Sequence, residues 1–252
     1  MGLVSVGALM LQGAIAPLPQ LSLTNPAIAQ QNQRRAYKPP PPPKSRPRGQ
    51  NPAKTVRNDC PEVPAPVTAL APSDREPSTN VTLVWGQTTA QRPTLWFYLP
   101  YSRQDGNLPT HLIIQTDLGK EKKWRFSLPP QPGIVAISLP QEMPLEAGKP
   151  YRWTLEVECG RKGVDDVYGW IQFTPPSTEL AQKLKLAGPV QQAVLYADNG
   201  YWYDAINQLA QLQRQQPNHS AAKELWQTLL EDENLGALKN QAIAGYLEQQ
   251  TK

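Results

Sequence analysis

The sequence predicts an α+β protein. An N-terminal antiparallel β-sandwich, Ig-like or Greek-key, is expected over residues 60–175, and a small helical module over residues 176–252. Three observations predict this. Eight short apolar or β-branched runs between residues 67 and 173 are punctuated by Pro and Gly. The run "YRWTLEVEC", residues 151–159, alternates apolar and polar side chains, the period of a strand with one wet face. After Ser177 the apolar spacing lengthens to that of a helix.

Residues 1–29 carry no charge. An apolar run from Leu3 to Ala16 leads to Ala27-Ile28-Ala29, a small-x-small pattern that predicts a signal peptide cut after Ala29. No Lys or Arg precedes the run, as would follow if the start residue were assigned too late. Pro17, Pro19 and Pro26 oppose the alternative of a buried core helix. The pattern implies export, to the periplasm or cell envelope. No other stretch is apolar for long enough to span a bilayer.

Residues 30–59 are expected to be a disordered, basic, Pro-rich linker. They hold Arg34, Arg35, Lys38, Lys44, Arg46, Arg48, Lys54 and Arg57 against the single anion Asp59, a net +7. The whole chain carries +4, so residues 60–252 carry −3. The basic balance thus belongs to a tail, and a nucleic-acid-binding surface on the fold is not expected. Pro39 to Pro43 favour polyproline II, which has no internal hydrogen bonds. Two readings of the tail stand side by side. It is a solvated spacer, or Arg34, Arg35, Lys38, Lys44, Arg46 and Arg48 tether the protein to anionic membrane lipid or wall polymer.

Cys60 and Cys159 are the two cysteines. An even count in an exported chain predicts one disulfide. It would close a loop of about 100 residues, which the chain-entropy model values at about 4.7 kcal/mol.

The expected strands are Val67–Leu70, Val81–Trp85, Leu95–Leu99, His111–Thr116, Lys122–Leu128, Ile134–Leu139, Tyr151–Glu158 and Val167–Phe173. In Tyr151–Cys159 the odd-numbered residues share the apolar face, Cys159 among them. "RPTLWFYLPY", residues 92–101, does not alternate: Trp96 and Tyr98 face one way, Leu95, Phe97 and Leu99 the other. Apolar surface left in water forfeits about 25 cal/mol per Å². The second face therefore needs a cover, and the helical module is the expected one.

The first helix follows the possible caps Ser177 and Thr178 and ends at Gly188. The second runs from Pro189 to Asn199 and stops at Gly200. A third, within "YWYDAINQLAQLQRQQ", aligns Trp202, Ala205, Ile206, Leu209 and Leu212, and ends before Pro217. A fourth spans Ser220–Glu231, and a fifth is expected over Leu238–Gln249. Tyr196, Gly200, Tyr203, Ala205, Leu209, Leu212 and Pro217 resemble the spacing of one tetratricopeptide helix pair. The Trp-x-x-Leu-Gly opening of that family is absent before Tyr196. A lone unit implies the packing of the pair and not a peptide-binding groove.

Over residues 60–240 the chain resembles an exported cyanobacterial family catalogued as a domain of unknown function. The resemblance rests on Cys60-Pro61, "RPTLWFYLPY", "LEAGKPYRWTLEVEC", "GWIQ" and "YADNGYWYDAINQLAQL", in that order. It implies a cell-envelope location and supplies no activity, substrate or catalytic residue.

Chemistry is sparse. His111 and His219 belong to no metal-binding spacing, and surface or capping roles are expected for both. No nucleophile elbow, P-loop or dinucleotide fingerprint occurs. No cofactor, metal or catalytic residue is therefore assigned. Glu156 and Glu158 share a strand face about 7 Å apart. With Asp165 and Asp166, read as turn residues, they are the carboxylates that a polysaccharide-active enzyme could use. Trp96, Tyr98, Tyr101, Trp124, Tyr168 and Trp170 either fill the core or stack on sugar rings. Two functions result: a non-catalytic envelope module binding another envelope protein or an anionic wall or capsule polymer, or an enzyme built on a carboxylate pair.

Overall fold

The computed structural model describes Gly2 and residues 36–41, 60–76, 81–116, 119–160 and 163–250. The expected signal peptide, and the tail apart from residues 36–41, lie outside the described residues. The strands are β1 (Thr68–Ala69), β2 (Ser73–Glu76), β3 (Val81–Thr88), β4 (Thr94–Leu99), β5 (Thr110–Gln115), β6 (Glu121–Phe126), β7 (Gly133–Ser138), β8 (Pro150–Cys159) and β9 (Gly163–Phe173). Helices α1 (Thr178–Leu186), α2 (Pro189–Asp198), α3 (Trp202–Gln215) and α4 (Ser220–Asp232) follow, and then β10 (Ile243–Tyr246).

The strands form a four-stranded sheet, order β1-β4-β7-β10, and a six-stranded sheet, order β2-β3-β9-β8-β5-β6. All eight expected strands are present. Two pairings, β3 with β9 and β7 with β10, are parallel, so the sheets are not purely antiparallel. Parallel neighbours need a long connection between them. The sequence between β3 and β9, and that between β7 and β10, supplies it.

Two elements depart from the sequence reading. β2, "SDRE", has no apolar alternation and pairs antiparallel with β3. The expected fifth helix over Leu238–Gln249 is instead a 3-10 turn, Gly236–Leu238, followed by β10. Gly245 has φ +109°, outside the helical region, and β-branched Ile243 suits a strand. β7 offered an open edge, and β10 takes it. The approach is close: a Cβ on Gly133 would lie 2.6 Å from the Ala242 carbonyl oxygen. Beyond β10 the chain reaches the other sheet. Ser127 N–H donates to the Glu248 carbonyl and Gln250 N–H to that of Arg125. The C-terminal segment therefore stitches the free edges of the two sheets together.

The helices start where local chemistry allows. The Ser177 hydroxyl accepts from Leu180 N–H, Pro189 occupies the first turn of α2, and His219 Nδ1 accepts from Ala222 N–H. α3 is the helix that joins the halves. Its Trp202 indole donates to the Leu70 carbonyl at 2.8 Å. Its Tyr203 hydroxyl accepts from Trp153 Nε1 at 2.9 Å and donates to the Trp170 carbonyl at 3.2 Å. Gly86 in β3 gives the Tyr203 ring room, since a Cβ there would come within 2.9 Å of it. Sandwich and helices belong to one compact unit, residues 35–252.

β4 shows the result. Leu95 to Leu99 are all buried, none more than 5% exposed. Phe97 meets Trp153 edge-on in the sandwich, with centroids 5.5 Å apart. On the opposite face Trp96 donates to Asn207 of α3 and lies against Tyr246 of β10. The strand is two-sided because it lies in the middle of the molecule.

Candidate functional site

Four titratable side chains, His111, Lys123, Glu156 and Glu158, gather on the outer face of the six-stranded sheet. The register of β8 sets it. Alternation turns Tyr151, Trp153, Leu155, Val157 and Cys159 inward, where all are buried, and Arg152, Thr154, Glu156 and Glu158 outward. β5 places His111 opposite Glu156, and β6 places Lys123 opposite Ile113. Lys123 Nζ reaches Glu156 Oε1 at 3.0 Å and Glu158 Oε1 at 3.2 Å. His111 Nδ1 lies 3.1 Å from Glu158 Oε1 and 3.9 Å from Glu156 Oε1, without hydrogen-bond alignment to either.

The electrostatics are those of a self-satisfied cluster. Burial, then the Lys123 charge, lowers the His111 pKa and favours neutral imidazole. Burial works against the charged forms of Lys123 and Glu158 as well, but the hydrogen bonds and charges of Glu156 and then Glu158 outweigh it for Lys123, and those of Lys123 outweigh it for Glu158. Lys123 is raised and Glu158 lowered. A general acid for glycoside cleavage needs the opposite, a carboxyl held up in its range. The ligand atoms of His111, Glu156 and Glu158 lie within 4.8 Å of one another, a spacing that can hold a metal ion. The Lys123 ammonium already supplies the cation there.

Asp165 and Asp166 are not turn residues, because β9 begins at Gly163 and they take opposite faces of it. Asp166 lies across from Glu156. Asp165 points inward, is buried, and accepts from the Tyr101 hydroxyl at 2.9 Å and Val67 N–H at 3.2 Å. The two cannot act as one catalytic pair.

The aromatic residues proposed as sugar platforms are mostly core. Trp96, Tyr98, Tyr101, Trp124 and Trp170 are all buried. Trp124 faces inward on β6 and donates to Glu142 Oε1 at 2.6 Å. Burial and Asp165 push the Tyr101 hydroxyl pKa up. Tyr168 is the half-buried exception, and the Arg152 guanidinium lies 4.1 Å from its ring centroid. Sandwich packing claims the large rings because each buries 150–250 Å².

Cys60 and Cys159 are joined in a disulfide, with Cα atoms 4.7 Å apart. Of the proposed basic tether, Lys38 is described, and it pairs with Asp198 at 2.7 Å. Arg34, Arg35, Lys44, Arg46 and Arg48 lie outside the described residues. The stretch around Lys38 is docked, contrary to a wholly disordered linker. Tyr37 is fully buried against Trp202, and Lys38 N–H donates to the Ala197 carbonyl. Ala36 N–H donates to Asp232 Oδ2 at 2.7 Å. One aromatic side chain that finds a slot outweighs the solvating composition around it.

Sequence reasoning missed the role of His111 and Lys123. Only the register of β5, β6 and β8 brings them to Glu156, across 33 to 45 residues of chain. Among the described residues, no helix is long and apolar enough to cross a membrane.

Residues 46–243 match the family model described as Domain of Unknown Function (DUF928). The match covers most of the chain, and the chain belongs to that family. No curated protein matches it.

Proposed function

We propose that this member of the DUF928 family is a non-catalytic cell-envelope protein, a binding or scaffolding module for another envelope protein or for an anionic polysaccharide. The observation that carries this reading is the state of the outward carboxylates. Glu156 and Glu158 share Lys123 on a sheet face, and Glu158 is held below its ordinary range. A face in which charges answer each other is suited to contact and solubility rather than to proton transfer. The Cys60–Cys159 bridge fits an oxidising compartment, as the uncharged leader pattern of residues 1–29 does. The cationic tail would hold the body near an anionic surface. The α2–α3 pair is read as one tetratricopeptide-like unit used for packing against the sandwich.

The test combines location with retention. Whole cells are treated with a membrane-permeant alkylating reagent, and the full-length protein is then incubated with envelope fragments. The expected result is two cysteines protected until reduction, and retention that weakens with salt. Neutralising the tail through Lys44→Gln, Arg46→Gln and Arg48→Gln should reduce retention without unfolding the body. Free thiols in cells together with no retention would overturn the reading.

A further inference from the structure

A basin of about 570 Å³ opens where α3, α4 and the C-terminal segment meet. Its wall includes three cations, Arg214, Lys223 and Lys239, and three side-chain amides, Gln213, Asn240 and Gln241, with no carboxylate. Lys239 is held by Glu231. Arg214 and Lys223 are exposed, and neither has a carboxylate partner among the described residues. Gln213 Nε2 is buried there with no hydrogen-bond acceptor. A buried donor left unpaired is unfavourable unless a ligand or water answers it.

Arg214 is also the wall of a second hollow, about 390 Å³, shared with Gln211, Gln215 and Tyr246. Tyr246 is 43% exposed in a fold that hides nearly every other large ring. The Arg214 guanidinium stands 5.3 Å from its ring centroid, and its hydroxyl accepts from Gln211 Nε2 at 3.2 Å. The setting is unusual for this body. Residues 60–252 carry −3 overall, yet the charged side chains lining both hollows are all cations, set among amides and the Tyr246 ring.

We propose that the two hollows form one binding site for an acidic oligosaccharide. The inference rests on the polysaccharide branch of the function proposed above. Arg214 and Lys223 would take a sugar carboxylate or sulfate, Arg214 as a two-pronged donor. The amides suit ring hydroxyls, which both donate and accept. The open part of the Tyr246 ring suits the apolar face of a pyranose. β10 is the edge strand of its sheet and borders both hollows, so a peptide added to that edge is the competing occupant; a lining of cations and amides beside an open ring favours the sugar.

Calorimetry on the full-length protein tests this with three probes: a galacturonate hexamer, a neutral maltohexaose, and a hexapeptide of glutamate. The galacturonate hexamer should bind most tightly and weaken with added salt. Arg214→Gln with Lys223→Gln should weaken it by about tenfold or more, the worth of one lost charged hydrogen bond. Lys223→Glu, a change at one exposed side chain, should do likewise without touching the Arg214–Tyr246 contact. Lys185→Gln on α1 should change nothing. Equal affinity for the neutral hexamer, tighter binding of the glutamate peptide, or indifference to both basin variants would overturn the assignment. Retention by envelope fragments with no binding of the galacturonate hexamer would leave the module reading standing while this one falls. Hexamer binding without such retention would do the reverse.

Discussion

Tyr203 joins helix to sandwich through one hydroxyl that both accepts and donates, and it does so in the dry interior. Burial pushes that hydroxyl's pKa up, so it stays a neutral phenol. Tyr203→Phe keeps the ring and strands the Trp153 indole N–H. It should cost about 1–3 kcal/mol, read as a lower denaturant midpoint with an unchanged slope. The charged cluster makes a pH prediction. His111 is lowered from 6.5 and Glu158 from 4.5, so the unfolded chain binds both protons more readily. Their contributions are present above those ordinary values and are lost as pH falls through the folded ones. Stability should therefore decline on acidification from neutrality, modestly because the groups are partly exposed. Denaturation midpoints at a series of pH values check it: in Lys123→Gln the decline across the carboxylate range should shrink, and an unchanged profile would show that Lys123 does not set it. At this scale the inward row of β8 was legible because alternation fixes facing. Asp165 was not, because an acid next to a glycine reads as a turn until a buried tyrosine is found to need an acceptor.

Among elements, β10 shows how the environment chooses between helix and strand. "AIAGYLEQQ" carries enough helix formers to suggest a fifth helix, yet it lies along β7 and then crosses to β6. Ending the chain after Gln241 would open the β7 edge and uncover the Trp96 side facing Tyr246. Each large side chain exposed costs about 1.5–3 kcal/mol, and an open strand edge recruits other chains. The shortened protein should melt earlier and associate with rising concentration in light scattering. A monomer of unchanged stability would show that the closure contributes little. The four true helices were legible from caps and stripes, since those signals lie within the segment. β2 was not, since its pairing uses backbone groups that every sequence has.

Over the whole molecule, two long-range ties hold the N-terminal approach to the body. The Cys60–Cys159 bridge closes 99 residues of sequence. In the chain-entropy limit a loop near this length contributes about 4.7 kcal/mol. Reduction, or Cys60→Ser with Cys159→Ser, should lower the unfolding free energy by several kcal/mol, about that limit. Equal midpoints with and without reductant would show that the bridge does not constrain the unfolded chain. The second tie is Tyr37, buried against Trp202. Composition and periodicity by themselves determined the α+β class, the strand-rich and helical segments, the cysteine pair and the need for a cover over residues 95–99. These are local properties, written into turn residues and apolar spacing. Only the tertiary structure decided that α3 and β10 supply that cover, that Trp96, Tyr98, Tyr101, Trp124 and Trp170 are core and not platform, and that His111, Lys123, Glu156 and Glu158 meet. Those outcomes depend on which strands pair and in what register, a choice made by burial across the whole chain.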